Sequence, residues 1–244
     1  MTRPSRSQPA RSLAGVALVS VAVMGGLIAL ALASGISIEA AVSDPHELTR
    51  LRFLGIVSNV GVLTWGAAMT ICLFTAWIVE PGWSDVGPRS FFIASAGITL
   101  VLLIDDLLLV HELADDVVVR FVDFERTRRQ KDILEAAVFA SYGALFGLYA
   151  LVYRQTILRA NGRYLLVGAL AMFAISVVID FGLVDALGID IPDYRDSIDL
   201  RSLLEEGAKL VGIAYYSAFY FSLADQRIGF RAARLRMERG PQIG

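Results

Sequence analysis

The 244-residue chain is 56% hydrophobic and only 19% charged, with a mean hydropathy of +0.60, values outside the usual range of soluble domains. Its net charge of -2 leaves no basic domain to neutralise phosphates and so excludes a nucleic-acid partner. The single cysteine, Cys72, excludes an internal disulfide and a thiolate metal cage.

Class follows from how the apolar residues are grouped, because a lipid-crossing helix needs roughly 20 consecutive ones whereas a soluble core helix needs only a stripe. No charge falls between Arg11 and Glu39, nor between Arg52 and Glu80, and each gap is 27 residues long. At ~1.5 Å per residue either stretch exceeds the ~30 Å hydrocarbon layer. The pattern predicts an all-α, polytopic bundle of six transmembrane helices, since open strands leave unpaired backbone groups in lipid.

The predicted segments in chain order are residues 12–34, 53–79, 90–111, 134–153, 164–187 and 202–224. A tail of residues 1–11 precedes them, and a basic tail of residues 225–244 follows. The first segment has a basic n-region, and Ala31, Leu32 and Ala33 resemble a signal-peptidase site. Its apolar run is longer than a signal h-region, so an uncleaved anchor is expected; cleavage leaves five segments. Asp44, Pro45 and Glu47 form a helix start before the second segment. Residues 113–133 mix acids with Arg and Lys, as a solvated surface helix does.

Orientation follows from Lys and Arg, which are retained on the cytoplasmic side. With both termini inside, twelve of them fall on the cytoplasmic face and nine on the other. The expected location is a bacterial cell membrane, with 20 Arg against 2 Lys pointing to a high-GC source. The partners expected are the bilayer itself and, for the basic tail with Ile228, Phe230, Leu235 and Met237 interleaved, the anionic inner-leaflet lipids.

Charge inside a membrane segment is the informative feature, since each ionised side chain near the bilayer centre costs about 3 kcal/mol. Segments three to six carry such charges, all toward the extracytoplasmic end. Counting at ~1.5 Å per residue puts Asp105, Asp106, Asp180 and Lys209 roughly 9 to 10 Å below that surface, with Glu205 and Glu206 about 5 Å down. His111, Glu112 and Glu135 lie at the rim. Asp132 with Glu135, and Ser202 with Glu205, fit the capping pattern of a short polar residue and an acid three positions on. Lys209 stands four residues after Glu205 and three after Glu206, a spacing that permits an internal ion pair. The tyrosines, Tyr142 and Tyr149 among them, are expected to pack and to hydrogen-bond across helices.

The pair Asp105 and Asp106, with Asp180, lacks such a structural explanation. Four carboxylates, counting Glu206, against one ammonium are stable only with protons, water or a bound cation. The resulting expectation is an acidic cavity near the extracytoplasmic ends of segments three to six. It binds a cation or a divalent metal ion through Asp105, Asp106, His111, Glu112, Asp180 and Glu206. A proton or cation relay is the transport alternative. The run Glu205, Glu206, Gly207, Ala208, Lys209 resembles the paired-glutamate EExxK motif of the PrsW-type and CAAX-type intramembrane proteases. That resemblance implies a membrane-embedded hydrolase with Glu205, Glu206 and Lys209 as candidate catalytic residues, the glutamates activating water, and His111 as the histidine able to join them.

Overall fold

The computed structural model describes residues 8–33, 56–78, 89–108, 110, 128–180 and 200–238. Every regular element among them is a helix: α1 (Gln8–Ala33), α2 (Ile56–Ile78), α3 (Arg89–Leu108), α4 (Arg128–Val152), the short α5 (Arg154–Arg159), α6 (Arg163–Asp180) and α7 (Leu200–Glu238). The all-α class is thus what the described residues have. Among the described residues two helices, α2 and α3, are long and apolar enough to cross a membrane. Shorter apolar stretches run through α1, α4 and α6, at Ala14–Leu30, Ala136–Val152 and Arg163–Ile179.

Hydroxyls within these apolar helices are satisfied locally. Thr64, Thr75, Ser95, Thr99 and Ser217 each donate to the carbonyl four residues earlier, at 2.7 to 2.9 Å, so none needs water for that bond.

Helix α7 is the centre of the packing, lying against α6, α2 and, less extensively, α1, while α3 packs on α2. Close approach of α7 to α6 depends on Gly212: a Cβ there meets the Phe173 ring at 2.7 Å. The same device, more loosely, admits α1, where a Cβ at Gly207 meets Met24 Cε at 3.4 Å. Around this seam lies an aromatic core in which Trp65 stacks on Phe173 at 5.7 Å and meets Tyr216 edge-on at 5.1 Å. Phe91, Phe92, Phe219 and Tyr220 complete it, all fully buried.

Helix α4 is held differently. Its backbone makes no extended close approach to α3 or α7, and large side chains bridge the gap instead. Past Tyr153 the chain reverses through α5 and a turn at 160–162, with Arg163 donating to the Leu158 carbonyl at 2.9 Å. A Cβ at Gly162 meets Ser222 Oγ at 3.2 Å, so this turn sits tightly on α7.

Outward-facing side chains are strongly apolar. Trp77, Leu63, Leu18 and Leu151 are exposed, as are Val167, Phe221 and Val152.

Element boundaries depart from the sequence expectation in two informative places. Asp132 lies inside α4 and Ser202 inside α7, so neither caps its helix, and Glu135 and Glu205 are not first-turn acids satisfying orphan amides. At the other end α7 runs on to Glu238 with no break at residue 225. Residues 225–238 are mostly strong helix formers such as Ala, Arg, Leu, Met and Glu, so the helix propagates into the basic segment. The predicted signal-peptidase-like residues Ala31 to Ala33 are helical, the end of α1. The solvated surface helix expected at residues 113–133 lies, up to residue 127, outside the described residues.

Candidate functional site

Polar residues recur on one face of α3. Ser95, Thr99 and Asp106 are four and seven residues apart, which at ~100° per residue keeps all three within about 40°. On α7, Lys209, Tyr216 and Tyr220 are seven and four apart and share a face in the same way. Long side chains from the two faces meet across the space between these helices, both of which pack on α2. Lys209 Nζ pairs with Asp106 Oδ1; Thr99 Oγ1 and the Tyr216 hydroxyl are 2.8 Å apart. Ser95 reaches Tyr220 through Tyr149 of α4, at 2.6 and 3.1 Å. Each step inward on α3 is therefore matched by an equal step on α7, forming a polar ladder of three rungs. Its hydroxyl rungs are buried, and each oxygen there has a hydrogen-bonding partner.

At the charged rung Lys209 also approaches Glu206 Oε1 at 3.5 Å, so one ammonium serves two carboxylates. Asp106 is 6% exposed, and its Oδ2 has no hydrogen-bond partner among the described residues. Gly61 of α2 makes room for that oxygen: a Cβ there lies 3.5 Å from it and 3.3 Å from Ile213 Cδ1. The adjacent Asp105, 8% exposed, points to a different neighbour and accepts the Tyr142 hydroxyl of α4 at 2.8 Å.

Asp105, Asp106, Glu205 and Lys209 border one cavity of about 320 Å³. Its remaining wall is largely aromatic and aliphatic: Trp65 from α2, Leu102 from α3, Phe139 and Phe146 from α4, and Leu170 and Phe173 from α6. The cavity exists because α4 stands away from α3 and α7. Gly143, which also lines it, has open space where a side chain would be. The space is thus amphipathic, with carboxylates and an ammonium at one end and rings along the sides.

Of the residues singled out from sequence, the structure brings Asp105, Asp106, Glu205 and Lys209 to this cavity, with Glu206 alongside on Lys209. His111 and Glu112 lie outside the described residues, as do the side chains of Asp180 and Glu135. Asp180 is the last residue of α6. No group of three or more His, Cys, Asp and Glu among the described residues is arranged to hold a metal ion. Of the six residues expected to hold a metal ion, Asp105, Asp106 and Glu206 have described side chains. The glutamates of the EExxK run are split between roles, Glu205 on the cavity and Glu206 on Lys209. Both histidines of the chain, His46 and His111, lie outside the described residues.

Sequence reasoning missed the aromatic wall; it expected Tyr142 to pack and to hydrogen-bond across helices, which its bond to Asp105 does, but not to line a cavity. In an apolar helix a ring that lines a cavity has the same sequence signature as one that packs. The usable signal was the repeat of polar positions at four and seven on α3, facing the same repeat on α7. No curated protein and no solved structure matches the chain. A family model does match, over residues 12–223, and the chain belongs to that family, DUF8692, a domain of unknown function.

Proposed function

We propose that this chain is a six-helix membrane protein of the bacterial cell membrane, both termini cytoplasmic, whose cavity near the extracytoplasmic side binds a cation. The observation that carries the reading is the charge around that cavity. Asp105, Asp106 and Glu205 border it with Lys209 as the described cation, and Lys209 is shared between Asp106 and Glu206. Carboxylates gathered around a largely apolar, part-buried cavity favour a bound positive charge there. The membrane part is supported by α2 and α3, by the shorter apolar runs of α1, α4 and α6, and by the exposed leucines and tryptophan on their outer faces.

Calorimetric titration of the protein in lipid nanodiscs with Na⁺, Ca²⁺, Mn²⁺ and tetramethylammonium tests it. At least one is expected to bind, and Asp105→Asn to weaken that binding. Absence of binding by all four rejects the reading. Reporter fusions at each terminus test the topology: fluorescence from a cytoplasm-dependent reporter is expected at both, and a periplasmic signal at either end refutes it.

One observation favours a second reading, transfer of a proton through the bundle. The hydroxyls of Thr99, Tyr216, Ser95, Tyr149 and Tyr220 carry polar character inward from Asp106, along a stretch where neither α3 nor α7 has an acid. Proteoliposomes driven by a pH gradient are then expected to lose flux in Thr99→Val. Flux equal to that of empty vesicles refutes this second reading.

A further inference from the structure

We propose that the cation taken by this cavity is an organic ammonium carrying an apolar body, and not a bare metal ion; the inference rests on the cation reading above and specifies its ligand class. A hard metal ion replaces its water with about six oxygens and has no use for apolar walls. What the cavity offers instead is a carboxylate end joined to a sleeve of rings. Trp65 and Phe173 are stacked at 5.7 Å on one side, while Phe139 and Tyr142 meet at 6.4 Å on the other. Ring faces attract ammonium groups, tertiary and quaternary ones above all, because such ions are weakly hydrated and the ring quadrupole is negative on its face.

Tyr142 joins the two halves of the site. Its hydroxyl donates to Asp105 at 2.8 Å while its ring forms part of the wall. Donation to a carboxylate makes the ring more electron-rich, so the carboxylate and the ring attract the same positive group. The volume, about 320 Å³, suits a small organic molecule and greatly exceeds that of an ion. Lys209 does not oppose such a ligand strongly, because its charge is shared between Asp106 and Glu206. The ligand chemistry could reach the site as the choline-type headgroup of a lipid or as a free ammonium compound.

The test uses the full chain in nanodiscs of phosphatidylglycerol, which has no ammonium headgroup, titrated with benzyltrimethylammonium and with its neutral carbon isostere neopentylbenzene. Binding of the cation is expected to be at least about tenfold tighter than that of the isostere and to weaken by about tenfold in Asp105→Asn. Gly143→Leu serves as the variant that keeps the fold: its side chain enters open space and fills the cavity, so it is expected to abolish binding while unfolding no more easily than the parent. Repeating the titration in phosphatidylcholine nanodiscs separates the sources. A loss of apparent affinity there supports a lipid headgroup as the natural occupant, and unchanged affinity supports a soluble ammonium. If Na⁺, Ca²⁺ or Mn²⁺ binds in an Asp105-dependent way while benzyltrimethylammonium does not, the inference is overturned and the cation reading stands. If no cation binds at all, both fall. Equal affinity for cation and isostere also overturns it, since the carboxylates then contribute nothing.

Discussion

Replacing Lys209 with methionine isolates the charged rung of the ladder. The change keeps most of the side-chain volume and removes the ammonium that faces Asp106 and Glu206. At the 3.5 Å separation from Glu206, and at an effective dielectric constant near 20, the gross attraction to that carboxylate alone is about 5 kcal/mol. Desolvation offsets much of it, and removal of one member of a buried pair is expected to cost about 3 to 5 kcal/mol. The 23% exposure of the Lys209 side chain, against 4% for Asp106, favours the lower end of that range. Unfolding free energy measured by steric trapping in bicelles reads the loss directly. The double variant Asp106→Asn with Lys209→Met removes both charges and is expected to recover at least about 2 kcal/mol relative to Lys209→Met. If the single variant costs under about 1 kcal/mol, or if the two single costs simply add, the ion pair is not the coupled, buried contact described above.

Loss of the Tyr142 hydroxyl in Tyr142→Phe leaves Asp105 without that donor, and a stability loss of about 1.5 to 3 kcal/mol is expected in the same assay. Thr99→Val keeps the shape but takes the partner from the buried Tyr216 hydroxyl, at about 1 to 3 kcal/mol, whereas Thr70→Val on an exposed face is expected to stay within about 0.5 kcal/mol. Gly212→Ala forces a methyl to within 2.7 Å of the Phe173 ring and is expected to cost about 1 to 3 kcal/mol. Phe173→Leu in the same chain is expected to recover part of that loss; no recovery means that the clash is not the cause.

How much of this was readable in advance depends on the kind of signal. Charges in apolar runs stand out, so Asp105, Asp106, Glu205, Glu206 and Lys209 could be named from the sequence alone. Which of them meet could not, because Asp106 and Lys209 are 103 positions apart and only packing sets their register. Neighbouring Asp105 and Asp106 turn out to serve different partners, since adjacent helical residues point about 100° apart. The capping expectation failed because Arg128 to Lys131 and Leu200 to Arg201 extend their helices upstream of the presumed caps. The stand-off of α4, which creates the cavity, has no local sequence signature: it follows from the sizes of Tyr142, Phe146 and Tyr149 measured against helices remote in sequence.

The matched spacing of the rungs between α3 and α7 also limits how the two helices can move past one another. A slide of one helical turn, about 5.4 Å, takes Lys209 and Tyr216 away from their partners at the same moment, and Tyr149 loses either Ser95 or Tyr220. Tilting about the hydroxyl rungs changes the charged end while leaving the inner contacts nearly intact. Motion that opens or closes the acidic end is therefore expected to be a hinge with its fulcrum among the tyrosines, and piston-like travel of α7 is disfavoured by every rung at once.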